Sequence, residues 1–416
     1  MFNLQKGLEG NMGLGPDSPL PETRSVRTVA LMGRDYPGVS FDLCVAENDQ
    51  VGAGQTLCTD RRHPEICFVA TVAGRVSQIK RGRRRSLDTL EITAQGDAEH
   101  VFDIAQAQND DAALRQLLLK SGAWTSFQTR PFGFLPDPKT KPSAIFVTAI
   151  DTHPLSADPA KVLASQPQNF LRGIEALLRL TDGPVYLCQK PGSPLAPERA
   201  RLKVAPFSGP HPAGLAGTHI HALSPVSRQR TVWQIGYQDV LAIGHLLETG
   251  RIMSSRTVSV AGSGLSKPVL VTAPLGAKLT DLVADPTQTL QSGAIFSGRE
   301  AAFLGRFDLQ VTCNDSDAHV LPSRPFWHKL MDRLPIPQNG ATLPLEAFER
   351  AFPFDILPIP LMRALAVGDV ETAERLGCLE LLEEDLALLT WLCPSGNDYG
   401  TLLRHALNTL AKEHVE

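Results

Sequence analysis

The sequence predicts a soluble, multidomain α/β protein, and three observations lead to that class. The chain has 416 residues, 43% of them hydrophobic, so it can bury more than one ordinary core. Short β-type runs fill its first quarter, apolar runs alternate with helical stripes in the middle, and helical periodicity dominates the end. Because it has neither an apolar leader nor an uninterrupted apolar run of about 18 residues, we expect a chain that is not exported and does not span a membrane.

Cysteine content and net charge exclude several classes. The seven cysteines show no Cys-x-x-Cys spacing, which disfavours a disulfide framework, a structural zinc site and an iron–sulfur cluster held by this chain. We expect reduced thiols in the cytoplasm. A net charge of -4 gives no global reason to bind nucleic acid.

The first quarter of the chain is predicted to be all-β. Residues 48–57 (NDQVGAGQTL) and 70–76 (ATVAGRV) resemble the repeated hammerhead signature of biotinyl and lipoyl domains. The resemblance implies a barrel-sandwich module. In that family a modified lysine lies between the two halves, but residues 60–65 read DRRHPE and contain no lysine. A carrier role is therefore not expected.

A run of cations follows at a predicted hairpin turn between residues 76–79 and 87–92. Its members surround Gly82 and are Lys80, Arg81, Arg83, Arg84 and Arg85. A solvated turn is the plain interpretation, and contact with anionic lipid headgroups or an acidic partner is the alternative. No aromatic residue interleaves the run, so stacking on nucleic acid is not expected.

The middle of the chain is predicted to be a Rossmann-like α/β domain. Residues 144–150 (AIFVTAI) form an apolar run typical of a strand covered on both faces. An amphipathic helix at 168–180 and a strand at 184–189 complete a βαβ unit. The first strand is followed by DTHPLS, not by a Gly-x-Gly-x-x-Gly turn, so a dinucleotide site of the usual kind is not expected.

Residues 206–221 (PFSGPHPAGLAGTHIH) alternate prolines with glycines, which predicts a long irregular loop without helix. On an extended segment His219 and His221 would point the same way, and with His211 they could share a metal. The neighbouring sequence supplies no clear further ligand, so we expect no metal. Loop packing and a polar ligand pocket are the remaining interpretations.

The region after the loop changes from strands to helices. A helix at 237–248 precedes strands at 256–261 and 268–272, and this part resembles the soluble-ligand-binding β-grasp (SLBB) module of respiratory complexes. The turn at 262–264 (GSG) is a weak phosphate-loop candidate. Helices are predicted at 353–367, 370–376, 383–393 and 398–414. The acidic cluster Glu380, Glu383, Glu384 and Asp385 is attributed to the dipole of the third of these helices.

These patterns predict five segments. They are a barrel-sandwich β domain at 1–102, a connector at 103–142, a Rossmann-like domain at 143–255, a β-grasp domain at 256–330 and a helical domain at 331–416. The hydrolase, metalloprotease and phosphate-loop motifs Gly-x-Ser-x-Gly, His-Glu-x-x-His and Gly-x-x-x-x-Gly-Lys are absent from the sequence.

Several short segments from the first ten to the last fifty residues share one family resemblance. They are KGLEG at 6–10, FVTAIDT at 146–152, PFSGPHPAG at 206–214, THIH at 218–221, TVW at 231–233, YQDV at 237–240, SGR at 297–299, LGCLEL at 376–381 and EEDLAL at 383–388. Together they resemble the NqrA subunit of the bacterial Na+-translocating NADH:quinone reductases. One departure is the SGNDYG that follows Cys393 and Pro394, where the family more usually has Cys-Pro-Gly-Lys.

The resemblance implies a peripheral subunit of a membrane complex that oxidises NADH, reduces ubiquinone and exports Na+. It implies a place on the cytoplasmic side of the bacterial inner membrane, held by membrane subunits, above all the one with the quinone site. FAD, FMN and iron–sulfur centres are expected in other subunits, and no cofactor and no catalytic residue are expected in this chain.

Ubiquinone is the expected ligand of this chain. The candidate quinone-binding residues are Phe207, His211, His219 and His221. The alternatives are a purely structural scaffold and a free-standing metal-dependent enzyme that uses the three histidines.

Overall fold

The structure, a computed structural model, describes residues 1–8, 16, 21–82, 85–284, 289–314 and 340–413. Within them the strands are β1 (Phe2–Asn3), β2 (Glu22–Thr23), β3 (Thr28–Met32), β4 (Phe41–Leu43), β5 (Gln50–Val51), β6 (Thr56–Asp60), β7 (Cys67–Val69), β8 (Gly74–Arg81), β9 (Leu87–Ala94), β10 (Gln128–Arg130), β11 (Ile145–Ala149), β12 (Val185–Gln189), β13 (Leu202–Ser208), β14 (Val232–Gly236), β15 (Ser255–Ala261), β16 (Val269–Pro274), β17 (Thr289–Ser292), β18 (Arg299–Glu300) and β19 (Gln310–Asn314).

The helices of the described residues are α1 (Asp111–Lys120), α2 (Pro159–Leu163), α3 (Pro167–Leu180), α4 (Ala216–Leu223), α5 (Tyr237–Thr249), α6 (Leu279–Leu282), α7 (Glu346–Ala351), α8 (Pro358–Val367), α9 (Val370–Arg375), α10 (Ala387–Leu392) and α11 (Tyr399–Glu413). Within the described ranges, none of them combines the length and the apolar composition that crossing a membrane requires.

The N-terminal β region contains two sheets. One has four strands in the order β3-β9-β8-β5, and the other has three in the order β4-β6-β7. Leu57, Phe68 and Leu90 from the two sheets are buried in one shared core. The predicted hairpin is confirmed, because β8 and β9 pair antiparallel across the turn that begins at Gly82.

The central six-stranded sheet has the order β1-β13-β12-β11-β14-β10. All its pairings are parallel except that of β10 with β14. The predicted strands at 144–150 and 184–189 and the helix at 168–180 are confirmed as β11, β12 and α3. Glycines at the contact between α3 and α5 let the two backbones approach, since a Cβ on Gly244 would overlap the carbonyl oxygen of Asn169.

The order of strands in this sheet creates a crevice. From β11 the chain adds β12 and then β13 on one side, and it returns to place β14 on the other side of β11. Such a reversal leaves an opening at the carboxyl ends of the two strands, where α/β folds usually bind ligands. Residues 150–153 and 236–239 stand at this opening.

The prediction that residues 206–221 contain no helix is wrong. Strand β13 continues to Ser208 and α4 begins at Ala216, so only residues 209–215 are irregular. The prolines and glycines stop the strand, but the sequence from Ala216 onward lacks proline and completes a buried helix. Since successive helical residues are about 100° apart, His219 and His221 point in different directions and not the same way.

A second six-stranded sheet has the order β18-β17-β19-β15-β16-β2. The predicted strands at 256–261 and 268–272 are confirmed as β15 and β16, which pair antiparallel. Sequence reasoning missed the two N-terminal strands, because β1 pairs with β13 and β2 pairs with β16, far away in sequence. Val258, Val271 and Val311 form part of the buried core of this region.

The helical C-terminal region is confirmed, with shorter elements than predicted. The helix at 353–367 begins only at Pro358, and the one at 383–393 divides into a 3-10 turn (Glu383–Leu386) and α10. The helix predicted at 398–414 is α11, and His414 lies outside the described residues. Residues 315–339 of the predicted β-grasp and helical domains lie outside them as well.

Candidate functional site

The crevice at the ends of β11 and β14 gathers side chains from four distant parts of the chain. Its walls include the segment after β11, the first residues of α4 and α5, and the 3-10 turn of the helical region. The polar and charged side chains that line it are Ser126, Gln128, Thr148, Asp151, His153, Gln234, Gln238, Asp239, Arg256, Arg306 and Glu384.

Asp151 and His153 form a carboxylate–imidazole pair at the end of β11. One Asp151 oxygen accepts from the His153 backbone N–H and lies 2.8 Å from the ring Nδ1. Burial disfavours the charged ring, but the Asp151 carboxylate outweighs it and raises the pKa of His153. Burial also disfavours the carboxylate, and the His153 imidazolium outweighs it and lowers the pKa of Asp151.

We expect this pair to contribute most to stability between about pH 4 and pH 6.5. The pKa of Asp151 is lowered from 3.8, so its contribution is present above that value and is lost as the pH falls through the folded pKa. The pKa of His153 is raised from 6.5, so its contribution is present below that value and is lost as the pH rises through the folded pKa.

A double-mutant cycle with Asp151→Asn and His153→Gln, followed by urea unfolding, measures this coupling. It should be larger at about pH 5.5 than at about pH 9. A coupling energy that does not change between these two pH values would contradict the assignment.

A buried arginine anchors the opposite wall. Arg130 is 0% exposed; its Nη1 donates to Asp385 Oδ2 at 2.6 Å, and its Nη2 donates to Glu384 at 3.0 Å. It also donates to Gln234 of β14 at 2.8 Å and to the Glu380 carbonyl at 2.9 Å. The dipole explanation of the acidic cluster was therefore incomplete, because its main partner is a cation from β10.

Glu384 extends from this anchor to the mouth of the crevice, where its side chain is 39% exposed. Burial among protein groups and the neighbouring Asp385 outweigh the opposing charges of Arg130 and His153. They raise the pKa of Glu384 to about 7. Two groups that titrate above their ordinary range, Glu384 and His153, thus face one crevice, an arrangement typical of sites that exchange protons.

Asp239 and two arginines separate the crevice from a second pocket. The Asp239 carboxylate accepts from Arg256 at 2.6 Å and from Arg306 at 2.9 Å. Burial opposes ionisation of Asp239, but the two guanidiniums lower its pKa. These three side chains line both cavities.

The second pocket is mainly apolar and lies between the N-terminal β region and α5. The apolar side chains on its walls are Val29, Leu31, Met32, Tyr36, Leu57, Phe68, Ile92, Ile243, Leu246, Ile252 and Met253. Sequence reasoning did not find this pocket, since its walls come together only when distant elements pack.

Two of the predicted quinone-binding residues lie inside the protein. Phe207 and His219 are each 0% exposed, and their rings pack with centroids 4.3 Å apart. The His219 Nε2 lies 2.9 Å from the Ala213 carbonyl, and burial lowers the pKa of His219 to about 4. A neutral His219 therefore donates a hydrogen bond that fixes the loop before α4.

The other two predicted residues have different surroundings. His211 is buried, stacks against His153 at 4.3 Å between ring centroids, and has its Nδ1 3.2 Å from the Thr152 hydroxyl. Burial lowers its pKa well below the ordinary range. His221 lies on α4, with its Nδ1 2.7 Å from Glu380 and its Nε2 accepting from the Asp355 backbone N–H.

The three histidines are therefore not brought together as metal ligands. Within the described ranges, no group of three or more His, Cys, Asp and Glu side chains is arranged to hold a metal ion.

Of the predicted cationic turn, the structure describes Lys80, Arg81 and Arg85, whereas Arg83 and Arg84 lie outside the described residues. Lys80 pairs with Glu91 on the adjacent strand, and Arg81 donates to the Arg85 carbonyl. The turn extends from the β8–β9 hairpin.

Comparisons with known proteins identify the family. A family model described as the NqrA N-terminal barrel-sandwich hybrid domain matches residues 2–95 and confirms the predicted barrel-sandwich module. Another, described as the NqrA second alpha/beta domain, matches residues 109–252. Among solved structures, an NAD+-reducing [NiFe]-hydrogenase in its H2-reduced state aligns with a TM-score of 0.41 and 14% identity, over 75% of this chain and 63% of that chain.

Curated relatives match over the whole length. The NqrA subunit of the Na(+)-translocating NADH-quinone reductase of Marinomonas sp. (strain MWYL1) is 40% identical over 445 aligned residues, covering 99% of this chain and 100% of the relative. The corresponding subunit of Pasteurella multocida (strain Pm70) is 39% identical with the same coverage. The chain therefore belongs to the NqrA family of Na+-translocating NADH-quinone reductase subunits.

Proposed function

We propose that this chain is the peripheral subunit that binds quinone in a Na+-translocating NADH:quinone reductase, an oxidoreductase complex. The observation that supports this role is the junction of the apolar pocket with the wall formed by Asp239, Arg256 and Arg306. A quinone has an apolar ring and tail, and its two carbonyl oxygens accept hydrogen bonds. Apolar walls suit the ring, and guanidinium donors suit the carbonyls.

The proton-exchanging groups lie on the far side of the same wall. Reduction of a quinone to a quinol takes up two electrons and two protons, and in this proposal the rest of the complex supplies the electrons. His153 and Glu384 face the crevice that shares Arg256 and Arg306 with the apolar pocket. An imidazole or carboxyl group there could return protons to the site.

The histidines selected from the sequence keep a place in this proposal. We propose that His211 supports the site by stacking on His153, and that Phe207, His219 and His221 hold α4 and its preceding loop against the crevice. Photo-crosslinking with an azidoquinone distinguishes the possibilities. Label on residues 29–36 or 242–256 supports the pocket, label on 207–221 supports a direct role of the histidines, and no label leaves the scaffold role.

Filling the pocket should weaken quinone binding at least tenfold. Ala242 lines the pocket from α5, so Ala242→Phe would place a ring where the quinone is proposed to lie. Glu248→Phe adds the same ring to the exposed end of the same helix and serves as the control. Titration of each variant with a short-chain ubiquinone measures the effect, and equal affinity of Ala242→Phe and the wild type would refute this location.

We also propose that the chain holds no flavin or iron–sulfur centre and lies on the cytoplasmic side of the inner membrane, held by the membrane-embedded subunit with the quinone site. A flavin or iron–sulfur absorbance band in the purified chain would overturn the first part.

The cationic turn is proposed to contact that subunit or anionic headgroups. Replacing Lys80, Arg81 and Arg85 by glutamate should release the chain from the assembled complex at lower salt than the wild type needs, because exposed ion pairs are screened by salt. Unchanged retention over a salt series would leave these residues as a solvated turn.

The finer domain assignments belong to the same proposal. The parallel order of β11, β12, β13 and β14 supports a Rossmann-like domain at 143–255, and the pairing of β15, β16, β17 and β19 supports an SLBB-like β-grasp domain at 256–330. The flanking segments are then the barrel-sandwich at 1–102, the connector at 103–142 and the helical domain at 331–416.

A further inference from the structure

A polar cleft of ≈ 590 Å³ continues from the mouth of the crevice. Its walls come from the β17–β18 turn, the start of β19, the Asp151–His153 segment and the helical region around Glu383 and Arg404. This size falls within the range of about 300–1,000 Å³ that is common for small-molecule sites.

Gln310, the first residue of β19, is the unusual side chain of this cleft. It is 4% exposed and lines the cleft, yet within the described residues neither its Oε1 nor its Nε2 has a hydrogen-bond partner. Its backbone is fixed, because its carbonyl accepts from the Gly293 N–H at 2.8 Å and it pairs with Ser259 of β15. The fold therefore holds an amide in place without using it.

Other buried amides of the chain show what is usual. The Gln238 Nε2 donates to the Thr257 carbonyl at 2.9 Å, and its Oε1 accepts from the Thr257 N–H at 2.8 Å. The Gln189 amide is likewise bonded on both sides. Leaving a buried polar group unpaired costs about 1–3 kcal/mol, so an amide with two free atoms calls for a complementary partner.

The charges of the cleft are already matched within the protein. Arg299 pairs with Asp35 at 2.8 Å, and Arg404 pairs with Glu383 at 2.6 Å. His153 pairs with Asp151. A charged ligand would have to compete with these pairs, whereas a neutral ligand would not.

Phe307 adds an aromatic surface. Its side chain lines both the crevice and the cleft and is 36% exposed. An exposed ring beside a free amide suits a planar partner, because one can stack while the other reads the edge.

We propose that this cleft binds a neutral planar heterocycle with an amide or imide edge, whose N–H donates to Gln310 Oε1 and whose adjacent carbonyl accepts from Gln310 Nε2. The site is separate from the proposed quinone pocket. A quinone only accepts hydrogen bonds and would leave Gln310 Oε1 unpaired.

The probe for this site is quinazoline-2,4-dione, a planar bicycle with an imide edge. Its 1,3-dimethyl derivative keeps the ring and both carbonyls but lacks the N–H donors. We expect the full-length chain to bind the first probe saturably, in ligand-observed NMR or calorimetry, and the second at least tenfold more weakly. A site that hydrogen-bonds its ligand rejects analogues that lack the donor.

Gln310→Leu should weaken binding of the dione at least tenfold, whereas Gln291→Leu on the neighbouring β17 should leave it unchanged. Gln310→Glu, which retains only acceptors, is the second variant if the leucine disturbs folding, and circular dichroism checks each fold. The proposal is overturned by absence of saturable binding, by equal binding of the two probes, or by full binding to both Gln310 variants. None of these outcomes bears on the short-chain ubiquinone titration, so the two proposals fail independently.

Discussion

Arg130→Met should lower the free energy of unfolding by about 3–5 kcal/mol. The side chains of Arg130 and Asp385 are both 0% exposed, and their N–O distance is 2.6 Å. Without the guanidinium, a carboxylate would remain buried without a counter-ion, and the Glu380 carbonyl and Gln234 would lose a donor. Urea unfolding followed by circular dichroism measures the loss.

Two further variants make this result specific. Arg61→Met removes an arginine that pairs with Asp42 on the protein surface, where both side chains are at least half exposed, and little change is expected. Arg130→Met combined with Asp385→Asn should recover part of the stability, because the unpaired charge is gone. A double variant no more stable than Arg130→Met would show that the charge is not the cause.

The importance of Arg130 was not predictable from the sequence. The sequence placed it at the first position of a Pro/Gly-rich linker, and its partner Asp385 follows 255 residues later. Local patterns predict helices and strands because the periodicity of apolar residues is a local property. An ion pair between remote segments leaves no such periodicity.

The same contrast explains which elements were found. The apolar run of β11, the amphipathic α3 and the paired β15 and β16 carry clear local signals, and the structure confirms them. β1 and β2 are two residues each and exist because they pair with β13 and β16. Helix α4 was missed because the prolines and glycines before it dominated the local pattern, while burial of Ile220 and His219 stabilises it.

The candidate site divides in the same way. The segment after β11 was singled out because it lacks a glycine fingerprint, and this correctly drew attention to the end of the strand where Asp151 and His153 lie. The histidine loop marked the neighbourhood of the crevice, since His211 stacks on His153. The walls supplied by Arg256, Arg306 and Glu384 could not be inferred, because only tertiary packing brings them to that strand end.

Gly244→Ala should destabilise the chain by about 3 kcal/mol, at the upper end of the usual cost of overpacking. On an exposed helix the same change would stabilise by roughly 1 kcal/mol, because alanine is the better helix former. At Gly244 the added Cβ would overlap the Asn169 carbonyl oxygen on α3, and backbone atoms cannot move aside as a flexible side chain does. The helices would have to separate, and their buried contacts through Phe170, Ile174 and Val240 would loosen.

Glu248→Ala on the exposed end of α5 is the matched control and should cost little. The Gly244 variant should also weaken binding in the proposed quinone pocket, because Ala242 and Ile243 on the same helix line that pocket. Thermal unfolding together with the ubiquinone titration tests both consequences. A Gly244→Ala chain as stable as the wild type would show that the close approach of α3 and α5 does not hold the central sheet and the pocket in register.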